Sequence, residues 1–446
     1  MAIGRFKFLA LLERWRRVAQ SFDYSLMVIN AAGYFGISYG LLQPDLREWM
    51  GGFTFVLSLF YGGLAYVTLK RGAENIRLSY YALGIALIFL TIAIPIQLGD
   101  AALLTIAWAA EGAVLVWLSF TLRMSLFRIF SYVAFAAMAF RLLFFDSRLD
   151  LPTTAQPFLN ERFLAFLIGI TATYFAGYLI WRERKSLLEW EEANWSVFPV
   201  FLVGASLLVT VAIFIELGDS VWTTIAWSVE GAVLVWLSFT LRIPVFRSFS
   251  YAVFAVMAVR LLFFDTAVDL ATFRPVLNER FLTFIISITA LYFVGWRERK
   301  ALRESEVTSS YYLAFLVAAH FFSLWLLSAE IINYFDSQLA ALTRAEELGP
   351  AGSTLQNAKN LSLTGLWAFY AVILLAIGIA KRSRFVRVVG LVLLAIPIIK
   401  VFAYDVFALE QVYRIIAFVG LGVLLIISGY LYQRYSKSIK GFFIDK

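Results

Sequence analysis

Apolar runs of about twenty residues, each nearly free of charge, follow one another along almost the whole chain. That is the length a helix needs to cross a hydrocarbon layer roughly 30 Å thick. The runs predict fourteen spans, near 22–42, 52–69, 77–97, 101–122, 126–145, 160–181, 196–217, 220–241, 245–264, 278–296, 310–333, 361–380, 385–404 and 411–433. The expected fold is therefore all-α, a polytopic helical membrane protein.

The pattern also repeats on a larger scale. Thr105–Asp146, TIAWAAEGAVLVWLSFTLRMSLFRIFSYVAFAAMAFRLLFFD, returns at Thr224–Asp265 with a constant offset of 119 residues. A fainter copy runs from Gly365 to Asp405, where Trp367, Arg382, Arg387, Lys400 and Asp405 keep the spacing of Trp108, Arg123, Arg128, Arg141 and Asp146. An internal repeat constrains the architecture before any single residue is interpreted. The expected organisation is a basic amphipathic N-terminal helix (1–21), a transmembrane hairpin (22–76) and three four-helix units (77–195, 196–309 and 310–446), the last with a cytoplasmic tail. An even number of spans per unit makes the three units parallel rather than inverted.

Composition narrows the class. With 61% hydrophobic and 15% charged residues and a mean hydropathy of +0.80, the chain is not an ordinary soluble domain. It has no cysteine and one histidine, His320. Thiolate sites and imidazole clusters within one chain are excluded, and no metal or cofactor is expected. The net charge of +8 does not read as nucleic-acid binding. With the N-terminus in the cytoplasm, 27 of the 38 Lys and Arg fall in inside segments and 8 in outside ones. This is the positive-inside bias of a chain with both ends in the cytoplasm. The expected partner is the bilayer, and the oligomeric state is left open.

Several polar positions suit structural roles. Gly99-Asp100 and Gly218-Asp219 read as a helix-ending glycine followed by an N-cap. Asn160-Glu161 and Asn278-Glu279 suit the start of a helix. Gly36 and Gly40 are spaced for close helix contact. His320 reads as a hydrogen-bonded helix residue, and residues 334–360 as an outer segment with a short polar helix ending at Gly349-Pro350.

Glu111 and Glu230 stand apart. Each falls near the middle of its span, where an ionisable side chain costs about 2.5–3.5 kcal/mol unless paired, protonated or beside water. The third copy has Tyr370 there. Arg141, Arg260 and Lys400 form a cationic tier near the outer end of the next helix, each five residues before an aspartate: Asp146, Asp265 and Asp405. Five residues turn a helix by about 140°, which makes a poor direct pair. Each aspartate is expected instead to cap the following turn or to meet a cation on another helix. Asp45 and Glu48 lie in the first outer loop, QPDLREW.

The repeated AWxxEGAVLVWLSFTLR block, with the C-terminal Lys400, Asp405, Tyr413 and Arg414 in their spacing, resembles a domain-of-unknown-function family of predicted bacterial membrane proteins. The resemblance covers most of residues 77–435. It implies a bacterial inner-membrane location and supplies no activity, cofactor or catalytic residue.

Three functions fit these observations. One is a transporter or flippase-like protein for a small or lipid-linked anionic substrate, with Glu111, Glu230, Arg141, Arg260, Lys400 and Tyr370 lining a polar cavity. The second is a glycosyltransferase-like envelope enzyme acting on a lipid-linked substrate at the outer face, through Asp45, Glu48, Asp146, Asp265, Arg162 and Arg280. The third is a membrane scaffold whose buried charges set packing specificity. No phosphate-cradling glycine loop or nucleophile motif favours hydrolytic chemistry. Transport is the leading expectation.

Overall fold

Fourteen long helices carry the apolar runs in a computed structural model that describes residues 21–70, 76–98, 102–148, 158, 160–192, 197–304, 311–344, 349–381, 383–405 and 410–434. They are α1 (Ser21–Leu46), α2 (Met50–Lys70), α3 (Ile76–Leu98), α4 (Ala102–Thr121), α5 (Ser125–Phe144), α6 (Glu161–Arg182) and α7 (Val197–Leu217). The series continues with α8 (Val221–Leu241), α9 (Pro244–Phe263), α10 (Glu279–Arg303), α11 (Tyr312–Arg344), α12 (Gly349–Ala380), α13 (Arg384–Lys400) and α14 (Gln411–Arg434). Among the described residues thirteen helical stretches are long and apolar enough to cross a membrane, the first of them, Asp23–Lys70, covering both α1 and α2. The expected basic helix at 1–20, Gly99, Asp100 and the end of the chain lie outside the described residues.

Compactness divides the chain into two units, Met1–Gly218 and Asp219–Lys446. In the first unit α2 lies antiparallel along α3, held by Ser58 Oγ donating to the Ala86 carbonyl (2.7 Å) and by the Thr68–Ser79 hydroxyl pair (2.7 Å). Tyr24 stacks on Tyr81 and Phe35 meets Phe89, so α1 runs parallel to α3. Helix α4 packs on α5 and α6, and α6 packs on α7. Their shared core includes Val116, Met138, Leu142, Phe166, Ile180 and Leu208. In the second unit α8 packs on α9 and α10, α10 on α11, and α12 on α11, α13 and α14. In both units, small side chains and glycines let helices approach where lipid supplies no hydrophobic drive.

Four expectations need correction. The α1–α2 connection is not an open loop. Helix α1 runs through Pro44 to Leu46, and a single 3-10 turn (Arg47–Trp49) reverses the chain. Among the described residues Gly36 and Gly40 make no close contact, because a Cβ at either would meet nothing within 4 Å. The segment after residue 334 is not a separate short helix. Helix α11 is continuous over 33 residues and α12 over 32, and Gly349-Pro350 begins α12 rather than ending a helix. At 1.5 Å per residue both are close to 50 Å long, well beyond a bilayer core. Lys359 Nζ donates to Asp336 Oδ1 (2.7 Å) between them. Finally, Gly218 ends α7 with φ +62°, as expected, but Asp219 does not cap α8. Ser220 holds the N-cap position, and Asp219 pairs with Arg260 instead.

Candidate functional site

Glu111 sits nine residues from the start of α4 and ten from its end. At 1.5 Å per residue that is about 14 and 15 Å, mid-helix. It is buried, and Oε1 accepts a hydrogen bond from Thr91 of α3 (2.8 Å). Its Oε2 is also buried and has no hydrogen-bond partner among the described residues. Thr91 is held in turn by the Leu87 carbonyl (3.0 Å), and the Trp108 indole donates weakly to the Thr91 carbonyl (3.4 Å). Gly112 follows because the Phe135 ring lies where its Cβ would stand, and Gly231 bears the same relation to Phe254. Glu230 is half-buried at the matching position of α8.

In the third copy the position belongs to Tyr370 of α12, whose hydroxyl lies 2.9 Å from His320 Nδ1 on α11. Tyr292 of α10 reaches the same nitrogen at 2.9 Å. His320 thus joins three helices, which nothing in its sequence neighbourhood indicated. The first unit has a plainer version, with the Tyr174 hydroxyl 2.9 Å from Ser206 Oγ.

The cationic tier is engaged by its surroundings. The Arg141–Asp146 spacing was expected to prevent direct pairing, yet Arg141 Nε lies 3.3 Å from Asp146 Oδ1. Helix α5 stops at Phe144 and Asp146 opens a 3-10 turn, so the 140° rotation of a continuous helix never applies. The other aspartate oxygen accepts from Thr105 of α4. In the second copy Thr224 donates to Asp265 (2.5 Å), and Arg260 donates to Asp219 (2.7 Å) and the Ser220 carbonyl (3.1 Å). In the third, Lys400 donates to Thr364 Oγ1 (2.6 Å) and the Asn360 carbonyl (3.2 Å). Asp405 ends a π-helical turn, Val401–Asp405. Thr105, Thr224 and Thr364 keep the repeat spacing, so their register in the sequence was the signal for this tier. Burial raises the carboxyls of Asp146 and Asp265 above the usual range, with the threonines and arginines pulling the other way.

Two ion-pair clasps are repeated as well. At the Asp146 end of the first unit, Glu216 of α7 accepts from Arg162 Nε (2.9 Å) and Asn160 Nδ2 (2.8 Å) at the start of α6. In the second unit, Glu330 accepts from Arg280 (2.6 Å), Asn278 (3.0 Å) and the Val276 amide (2.9 Å). Asn160 and Asn278 do cap their helices, accepting from the Phe163 and Phe281 amides (both 2.7 Å). Val276 has φ +65°, a strained conformation for a β-branched residue, and its amide faces the Glu330 carboxylate.

At the opposite end Glu191 is fully buried in a single helical turn, Glu189–Glu192. It accepts from Arg128 Nε (2.6 Å) and Nη2 (2.5 Å), the Tyr132 hydroxyl (2.6 Å) and the Leu188 amide (2.7 Å). Burial alone would raise this carboxyl, but these donors outweigh it and hold Glu191 below the usual range. In the second unit Glu298 accepts from Tyr251 (2.6 Å), with Arg247 Nε at 3.9 Å. The WRERK repeat would align Glu183 with Glu298, but Glu183 is only half-buried and pairs with Arg182. The equivalent partner comes from eight residues farther on.

Asp45 and Glu48 are exposed beside the α1–α2 turn. A family model described as "Predicted membrane protein (DUF2339)" matches residues 2–160 and 243–435. No curated protein matches the chain, and no solved structure does.

Proposed function

The chain belongs to this family of predicted membrane proteins, and from that premise we propose that it is a multi-pass transporter or flippase-like protein of the bacterial inner membrane, with both termini cytoplasmic. The observation that carries this reading is the Glu111 carboxylate, which is mid-helix, buried and provided with one donor for two oxygens. Intramembrane ionisable residues mark substrate, ion or proton pathways, and a carboxylate with an unfilled coordination site suits a proton or a cationic group. The charge of the cargo follows from the other groups. Arg141, Arg260 and Lys400 are held by Asp146, Asp219 and Thr364. An anion would have to break those contacts, so a proton or cationic moiety at Glu111 is the reading the geometry supports best.

Metabolite and lipid profiling of a deletion strain tests it. Complementation with the parent chain restores the profile, whereas Glu111→Gln combined with Glu230→Gln leaves the deletion profile in place at equal membrane abundance. Full restoration by the double variant removes the midplane carboxylates from the mechanism.

A further inference from the structure

A cavity of about 900 Å³ lies in the second unit, at the end of α9 and the start of α10. Its wall is unusual for a membrane helix end. Asp265 and Arg280 are both buried there, while Asp269 and Glu279 are exposed on its rim. Arg280 gives Nη2 to Glu330 and Nη1 to the Thr266 carbonyl (3.2 Å), yet its Nε is buried with no partner among the described residues. The side chain is 2% exposed, and a buried guanidinium N–H left open is a donor waiting for an acceptor.

A second hollow of about 480 Å³ borders on this one at Ile285. It runs between α8 and α10, is lined by Val229, Val233, Trp236, Thr289 and Phe293, and shares Ile285 with the polar cavity. Both helices begin at the cavity. Val229 and Trp236 lie eight and fifteen residues beyond Val221, about 12 and 22 Å along α8. The chamber at the helix ends, which carries the charged groups, and the apolar groove along the spans therefore border on the same residue, Ile285. Only an amphiphile fills both.

We propose that cavity and groove form one site for a membrane lipid whose head group carries a phosphate and an ammonium. The phosphate lies beside Arg280, the ammonium beside Asp269 and Glu279, and an acyl chain along α8 and α10. The acids outnumber the one guanidinium on the wall, which favours a zwitterionic head group over an anionic one. The site is built from the second unit alone and stands whether or not Glu111 couples transport.

The test uses the full chain, purified in mild detergent and offered phosphatidylethanolamine and phosphatidylglycerol of matched acyl chains. Retained lipid is counted by native mass spectrometry. The parent retains the ethanolamine lipid preferentially. Asp269→Asn with Glu279→Gln reduces that preference by about fivefold, the upper end of what partly exposed ion pairs supply. Glu279→Gln alone, which removes no hydrogen bond from the 269–272 turn, moves it the same way. Ile285→Trp fills the junction and lowers retention of both lipids, while Glu111→Gln retains lipid as the parent does. Equal retention of the two lipids by the parent overturns the proposal. So does an unchanged preference in Glu279→Gln at an unchanged melting temperature, or undiminished retention in Ile285→Trp.

Discussion

Glu111 and Glu191 are the same residue type, both buried in the first unit, and their surroundings treat them in opposite ways. Glu191 receives four donors across both oxygens, two of them from one guanidinium. Among the described residues Glu111 receives one, and its second oxygen has none. A buried carboxylate supplied with donors to capacity is part of the frame, because removing any partner strands a charge. One left half-supplied contributes little to holding the frame and remains open to a proton or a cation. Burial alone therefore does not distinguish these two carboxylates; the number of donors around each does.

The largest effect that would break this comparison is at the clasp. Arg128→Ala leaves Glu191 buried without its guanidinium and is expected to lower stability by about 3–5 kcal/mol, read from unfolding in mixed detergent micelles. A loss of less than about 1 kcal/mol would mean the clasp is incidental. Acidification probes the same contact. The folded Glu191 carboxyl lies below its unfolded value, so its contribution is complete above the ordinary carboxylate pKa of about 4. It fades as pH falls through the folded value. Parent stability should thus drop on the acid side, and the difference between parent and Glu191→Gln should shrink there. A difference that holds constant into that range contradicts the assignment.

Smaller effects sharpen the contrast. Tyr370→Phe removes one hydroxyl from the His320 cluster and should cost about 0.6–1.7 kcal/mol, as interhelical hydrogen bonds in membranes do. Glu111→Gln keeps an oxygen for Thr91 and removes the charge. Its unfolding free energy should stay within about 1 kcal/mol of the parent, with function lost. If Glu111→Gln instead unfolds the chain as severely as Arg128→Ala, the two carboxylates belong to one class and the distinction fails.

How much of the site could be read beforehand differs from residue to residue. The mid-span depth of Glu111 and the tier of Arg141, Arg260 and Lys400 followed from spacing. The caps at Asn160 and Asn278 followed from local chemistry. The Arg141–Asp146 contact does not follow from spacing, because the helix ends at Phe144 instead of continuing through Asp146. The cluster at His320 leaves no local signal in the sequence, since its two tyrosines arrive from helices 28 and 50 residues away. Glu191 was missed altogether, and the repeat itself pointed to Glu183.

What the chain determined alone was everything governed by solvent: apolar runs of bilayer length, their number, the charge bias at their ends and the repeated frame. These depend on each segment's transfer from water to oil, a property of the segment itself. The tertiary structure decided which donor reaches which acid. Arg128 meets Glu191 across 63 residues and Arg162 meets Glu216 across 54. A buried polar group must find its partner inside the protein, and which partner it finds depends on how the helices pack rather than on where the residues fall along the chain.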